Sequence, residues 1–138
     1  MGKEFLTKDN VLIFEGQYEN WKSNGEGKEY HINGKLKFVG EYINGKRIYG
    51  REYNNKGNLI LIIDKNGKGK EYYYNDIIKF EGEYLYGKRW NGKGYNYNGN
   101  EIYEIKNGKG NVKEYDYNGK LIYEGEYLDG EKNGKVII

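Results

Sequence analysis

The chain of 138 residues contains no cysteine and no proline, and alanine is missing from it as well. Without cysteine, disulfides and thiolate metal sites are excluded, so the sequence favours a reducing compartment. No apolar run approaches the roughly 18 residues of a membrane span. The first ten residues also lack the apolar stretch of a secretory signal. We therefore expect a cytoplasmic protein without a transmembrane segment.

Side chains that carry catalytic chemistry are scarce. Ser23 and His31 are the only serine and the only histidine, and one histidine cannot supply a metal site. A dyad of these two residues would need an orienting partner and an oxyanion hole. In other copies of the repeat described below, the His31 position holds Tyr73, Asn96 or Asp116, which is typical of a solvated surface. We therefore expect no enzymatic activity, no cofactor and no metal.

Paired glutamates and Gly-x-Gly triplets are present, but they recur along the chain. Glu81 and Glu83 resemble a general acid and base, yet the same pair recurs at Glu124 and Glu126. A phosphate-binding loop needs its glycines between a strand and a helix, and no helix is predicted here. Both patterns indicate repeat backbone and a solvated sheet face.

The strongest signal in the sequence is an internal repeat. Four segments share an aromatic-x-Gly-x-Tyr pattern, and two shorter relatives lie between them. The double period is 42 to 43 residues, and residues 38–63 match residues 80–105 at 14 of 26 positions. A repeat of this length marks a repeat architecture. In chain order the six segments are Phe14–Tyr18, Phe38–Tyr42, Leu59–Ile63, Phe80–Tyr84, Glu101–Ile105 and Tyr123–Tyr127.

Each repeat unit is predicted to be one β-hairpin. Asn-Gly turns flanked by alternating segments are a strong hairpin signal, and no stretch has a helical period. We predict one all-β domain over residues 1–138, an elongated single-layer antiparallel sheet of stacked hairpins with about 13 short strands. It has about six hairpin units. Half-units lie at Gly2–Phe5 and at 134–138, whose apolar end either covers the last hairpin or pairs with another chain.

Alternation along the strands assigns their faces. We predict a packed face in which glycines let a neighbouring tyrosine ring lie over bare backbone. In the short units Ile63 and Ile105 take the place of that glycine. The opposite face carries glutamate and lysine. In the last long unit the packed residues are Leu121, Tyr123, Gly125 and Tyr127.

Residues 80–94 read aromatic-x-Gly-x-aromatic, x-x-Gly and then a Gly-x-Gly strand, with Trp90 inserted. This pattern resembles the MORN (membrane occupation and recognition nexus) repeats, and the resemblance covers roughly residues 2–138. Residues 118–125 also look like the bacterial MORN variant of YwqK-type antitoxin-like proteins. Tyrosine stands where many MORN units carry tryptophan, and the short units lack the middle glycine. The resemblance implies a hairpin sheet that acts in protein interaction, scaffolding or dimerisation.

The candidate binding residues are those that break the repeat. Trp21, Ile48, Tyr49 and Trp90 lie in or beside turns where small polar residues are expected. Exposed aromatics with an adjacent arginine are typical interface anchors. The alternative is that Trp90 and Tyr49 fold back over their own hairpin. We predict a non-enzymatic interaction or scaffold protein that binds a protein partner or itself.

Two further functions remain open at this point. Lys46, Arg47, Arg51, Lys88 and Arg89 could form a basic edge on anionic phospholipid, which would make the chain a membrane-surface adaptor. Their alternative role is to solubilise turns. An antitoxin-like protein that masks a specific enzyme is the third hypothesis. Nucleic acid is disfavoured, because the net charge is only +2 and acidic residues alternate with basic ones.

Overall fold

The computed structural model describes residues 2–6 and 11–133, which form strands and turns without any helix. The prediction of an all-β chain of stacked hairpins is confirmed. The predicted closing segment at 134–138 lies outside the described residues. Thirteen strands are present in these ranges: β1 (Gly2–Leu6), β2 (Val11–Glu19), β3 (Lys22–Tyr30), β4 (Leu36–Ile43), β5 (Lys46–Tyr53), β6 (Leu59–Ile63), β7 (Lys68–Tyr72), β8 (Ile78–Leu85), β9 (Lys88–Tyr95), β10 (Glu101–Ile105), β11 (Gly110–Tyr115), β12 (Leu121–Leu128) and β13 (Glu131–Asn133).

The chain divides into two compact units, residues 1–65 (unit 1) and 66–138 (unit 2). Unit 1 contains β1 to β6, and each strand pairs antiparallel with the next. In unit 2, three such antiparallel ladders join β7 to β10, while β11 to β13 form a separate three-stranded sheet. The sequence repeat predicted one continuous sheet, so the separate sheet of β11 to β13 was not expected.

The long hairpins end in two-residue turns whose central residues both have positive φ, as in the type I′ turn. The second position is glycine in three of them, Gly45, Gly87 and Gly130. Glycine is the residue that adopts this left-handed conformation without a steric penalty. The turn after β2 differs, because Asn20 (φ 53°) is followed by Trp21 (φ 67°).

One sheet face, here called the front face, carries the buried aromatic rings. In unit 1 a side chain at Gly27 would come within 2.9 Å of both the Phe14 and the Tyr42 ring, so the rings lie over bare backbone as predicted. Ile63 and Ile105 take the glycine position in the short units and are buried. The other buried aromatics of this face are Phe38, Phe80, Tyr84, Tyr103, Tyr123 and Tyr127.

The opposite face, here called the back face, carries the predicted cross-strand ion pairs. Lys70 lies 3.5 Å from Glu81, and Lys113 lies 3.9 Å from Glu124. All four side chains are about half exposed. Pairs of this kind contribute little, roughly 0–1 kcal/mol each.

Within unit 2 the three-stranded sheet is held to the β7–β10 strands by backbone and side-chain contacts. The Gly108 N–H donates to the Trp90 carbonyl at 2.8 Å, and the Tyr74 N–H donates to the Tyr117 carbonyl at 2.9 Å. Tyr74 and Tyr117 also stack, with ring centroids 5.2 Å apart. These contacts bring the front-face side chains of both sets of strands together.

Candidate interaction surfaces

A cation lies over an aromatic ring at the same place in three long hairpins. The carbon at the centre of the Arg47 guanidinium is 4.5 Å from the Phe38 ring centroid. The corresponding distance is 4.7 Å from Arg89 to Phe80, and Lys132 Nζ lies 5.3 Å from the Tyr123 centroid. The three cations are 42 and 43 residues apart, which is the double period of the sequence. Each stands opposite a tyrosine in the hairpin register, Tyr42, Tyr84 or Tyr127.

In unit 1 the arginine binds two carboxylates of the front face. Arg47 Nε and Nη2 donate to the two Glu29 oxygens at 2.7 and 2.8 Å, and Nη1 donates to Glu52 at 3.0 Å. The Tyr42 hydroxyl donates to the same Glu29 carboxylate. This Arg47 cluster (Glu29, Tyr42, Arg47 and Glu52) is open to solvent, because the Arg47 side chain is 30% exposed.

In unit 2 the equivalent arginine is buried. Arg89 makes the same two-oxygen contact with Glu71, at 2.7 and 2.8 Å, but its second carboxylate is Glu114 of β11 at 2.7 Å. Lys79 Nζ also reaches Glu114, at 3.1 Å. The side chains of this Arg89 cluster (Glu71, Lys79, Arg89 and Glu114) are between 6% and 13% exposed.

Two exchanges in the repeat explain why the second carboxylate changes. The position of Glu52 is occupied by Gly94 in the second copy, and the Leu61 position by Tyr103. A side chain on Gly94 would overlap the Tyr103 ring. The Tyr103 hydroxyl accepts a hydrogen bond from Arg89 at 3.0 Å. The tyrosine therefore fills the space of the missing glutamate, and Glu114 supplies the charge.

The pKa values of these groups follow the geometry. Burial by itself would raise the pKa of Glu71, but the charge and hydrogen bonds of Arg89 outweigh it and hold the pKa at about 2. The pKa of Glu114 is lowered for the same reason, with Arg89 and Lys79 as its cations. Burial and the neighbouring Glu71 carboxylate raise the pKa of the Tyr84 hydroxyl well above its usual range. All these groups therefore keep their neutral-pH charge states.

The predicted basic edge is not present as such. Arg47 and Arg89 lie in the clusters just described. Because Arg89 is buried, the prediction that it lies on an exposed basic edge is wrong. Lys88 forms an ion pair with Glu131 at 2.6 Å. Lys46 and Arg51 remain exposed. Sequence patterning missed the clusters because it assigned charged residues to the back face only.

Trp21 is the predicted anchor that the structure leaves most open. Its side chain is 96% exposed. It occupies the left-handed second position of a tight turn, where the other long hairpins have glycine. A bulky residue in this conformation costs about 1 kcal/mol or more.

The other predicted anchors pack more closely. Ile48 and Tyr49 lie in β5 and are partly buried. Trp90 lies in β9 with its ring against the turn glycines of unit 2, because a side chain on Gly108 would approach the ring to 2.7 Å. Trp90 therefore contributes to packing within unit 2.

Tyr86 is an exposed aromatic that the sequence analysis did not single out. It lies at the first turn position after β8, with φ of 50° and 71% exposure. The equivalent residues in the other long hairpins are Asn20, Asn44 and Asp129, which tolerate positive φ better. The replacement of asparagine or aspartate by tyrosine was the signal available in the sequence.

His31 does not behave as a variable surface residue, which corrects the expectation for that position. Its Nε2 donates to the Tyr53 carbonyl oxygen at 2.9 Å, and the ring is half-buried. The equivalent Tyr73 donates its hydroxyl to the Tyr95 carbonyl at 2.6 Å and is buried. Ser23 and His31 both line a front-face cavity of about 840 Å³ in unit 1. Since His31 Nε2 is bonded to a backbone carbonyl, we assign this histidine a structural role rather than a catalytic one.

The described residues contain no group of three or more histidine, cysteine, aspartate or glutamate side chains placed to hold a metal. A helix of the length and apolarity needed to cross a membrane is likewise missing from this part of the chain. No family model, curated protein or solved structure matches the chain.

Proposed function

We propose that this chain is a MORN-type repeat protein that binds another protein, or a second copy of itself, without catalysing a reaction. The observation that carries the proposal is Trp21, which is 96% exposed on a left-handed turn. A tryptophan there gains nothing in packing and adds backbone strain. Residues kept at a cost to folding cluster at functional sites, and tryptophan is among the most enriched interface anchors.

The surroundings of Trp21 support a recognition role. The neighbouring turn of unit 1 is fixed against the same hairpin, because the Gly45 N–H donates to the Ser23 carbonyl at 2.8 Å. The Asn44 N–H also donates to the Asn24 side chain at 3.1 Å. These bonds fix the backbone beside the Trp21 turn, so less backbone freedom is lost on binding, and such preorganisation increases affinity.

Replacement of Trp21 by glycine tests this proposal. Trp21→Gly gives the turn the glycine of the other hairpins, so we expect the melting temperature to rise while partner recovery falls. Tagged wild-type and variant chains are used to capture proteins from the native source, and mass spectrometry identifies what is recovered. Light scattering of both purified chains measures self-association.

Two outcomes support the proposal and one overturns it. Recovery of a specific protein by the wild type but not by Trp21→Gly supports binding of a partner, provided that the purified pair shows the same difference. Loss of a wild-type dimer in the variant supports self-association. Unchanged recovery and an unchanged oligomeric state would overturn the role of Trp21. Because the variant should be more stable than the wild type, lost binding cannot be assigned to unfolding.

A further inference from the structure

We propose that the back face of unit 1 contains a groove that binds a lysine or arginine side chain of a protein partner. This inference rests on the proposed function, since it names a second surface for it and the chemistry of the partner. The groove has a volume of about 590 Å³. Its lining includes Glu26, Val39, Glu41 and Tyr49, and we call it the back-face groove, or simply the groove.

The floor of the groove consists of glycines in register across neighbouring strands. Gly16 pairs with Gly27, and Gly27 pairs with Gly40. Their missing side chains are explained by the aromatic rings of the front face, as shown above. These positions point to the front face, so on the back face they present only backbone between two rows of side chains, and an incoming side chain can lie there.

One wall of the groove carries two glutamates directly opposite each other. Glu26 of β3 pairs in register with Glu41 of β4, and Glu41 pairs with Tyr49 of β5. Side chains at opposed positions lie about 5 Å apart at Cβ, and like charges there destabilise the sheet. Lys28 and Lys65 also line the groove. Among the described residues, however, no ion pair joins either lysine to Glu26 or Glu41.

In the second copy of the repeat, the glutamate of the same wall has partners within the chain. Lys68 takes the place of Glu26 and stands opposite Glu83, so the pair has opposite charges. Asn91 takes the place of Tyr49 and donates to Glu83 at 3.3 Å. The third copy has the amides Asn111 and Asn133 on either side of Glu126. Of these three described copies, the one in unit 1 opposes two carboxylates and adds an aromatic ring.

The other wall departs from the repeat as well. Val39 occupies the position that is Glu81 in the second copy and Glu124 in the third. Those two glutamates form ion pairs with lysines of the neighbouring strand. Valine replaces this carboxylate by an apolar side chain, which lies in register between Lys28 and Arg51. Three departures from the repeat, at residues 26, 39 and 49, therefore meet in one groove.

These features match the two parts of a basic side chain. The methylene stem of lysine or arginine packs on apolar surface such as Val39 and the Tyr49 ring, while its charged end stays polar. The charged end meets Glu26 and Glu41, and charge-assisted hydrogen bonds of this kind are stronger than neutral ones. A cation near an aromatic face gains further attraction. Binding would also relieve the repulsion between the two glutamates.

A labelled peptide tests the proposal on the full chain. The probe is a fluorescein-labelled octapeptide of alternating glycine and lysine, followed by fluorescence anisotropy. Matched peptides carry norleucine or glutamate in place of lysine. We expect the lysine peptide alone to bind. Glu26→Lys, which copies the second repeat, should weaken binding about tenfold or more, and Tyr49→Asn about threefold.

Glu83→Gln serves as the matched control in unit 2 and should change binding by less than about twofold. Glu26→Lys should also raise the melting temperature, because it replaces a like-charge pair by an opposite one. Equal binding of the lysine and norleucine peptides would overturn the proposal. So would no binding at millimolar peptide, or an equal loss in Glu83→Gln. If capture still depends on Trp21 in that case, only the groove is refuted and the proposed function stands.

Discussion

The Arg47 and Arg89 clusters share an arginine and a glutamate 18 residues apart, yet one cluster is open to solvent and the other is buried. Arg47 is 30% exposed and Arg89 is 8% exposed. In unit 1 the second carboxylate, Glu52, comes from the same strand as Arg47, β5. In unit 2 the second carboxylate, Glu114, comes from β11, which belongs to a different sheet. The ion pair therefore forms where the two sheets of unit 2 pack together, and it is buried there. The comparison shows that two copies of a repeat can keep the same arginine–glutamate contact while two exchanges change the burial of that contact.

Loss of the arginine should separate the two clusters most strongly. Arg89→Met leaves Glu71 and Glu114 buried without their main cation, and we expect it to lower the free energy of unfolding by about 3–5 kcal/mol. Arg47→Met leaves carboxylates that water can reach, so the expected loss is about 1–2 kcal/mol. Urea unfolding of both variants measures the difference. Equal losses would show that burial does not distinguish the clusters.

Acid should act mainly on the buried cluster. The pKa of Glu71 is about 2 in the folded chain against an ordinary value of 4.5. A carboxyl whose pKa is lower in the folded than in the unfolded chain stabilises the folded state at pH values above the unfolded pKa. That contribution is lost as the pH falls from about 4.5 towards 2. It amounts to about 3 kcal/mol for Glu71. Across this pH range the free energy of unfolding should therefore fall more steeply with decreasing pH in the wild type than in Glu71→Gln. Identical slopes would contradict the assignment.

The exchange of Glu52 for Gly94 can be reversed in unit 2. Gly94→Glu forces a side chain into the Tyr103 ring, and we expect a loss of about 1–3 kcal/mol. Adding Tyr103→Leu, which copies Leu61, should recover part of that loss. A double-mutant cycle measures the coupling of the two positions. Additive losses would mean that the two exchanges are not compensating.

The turn strain at Trp21 gives the smallest expected effect. Trp21→Gly should stabilise the chain by about 1 kcal/mol, and Gly45→Trp should destabilise it by a similar amount. Gly45 has space for a side chain, with Lys22 Cβ 3.8 Å away as the nearest contact, so this control isolates the backbone term. Thermal unfolding of both variants provides the measurement. A loss of stability in Trp21→Gly would show that the ring makes contacts worth more than the strain.

The hairpins, their number and their packed face followed from the sequence because turn residues and two-residue alternation are local signals. Phe38, Phe80 and Tyr123 repeat with their glycines and tyrosines, and each is buried. The arginine clusters could not be predicted in the same way. Glu71 and Arg89 are ordinary surface residues by type, and only the register places them on the front face.

The candidate site was predictable only in part. Trp21 was visible as an aromatic residue where a turn expects glycine. Trp90 broke the pattern equally, but the turn of Gly108 in unit 2 covers its ring. That contact joins residues from different hairpins and leaves no local trace in the sequence. A break in the repeat therefore marks a candidate, and packing decides whether it is a surface.

Partner capture by Trp21→Gly, with the melting temperature recorded on the same preparation, tests the central claim most directly. The claim is that this repeat protein recognises a partner through a residue that folding alone disfavours. We expect the variant to melt at a higher temperature and to lose the partner, or the second copy, that the wild type binds. A variant that retains full binding would contradict the claim.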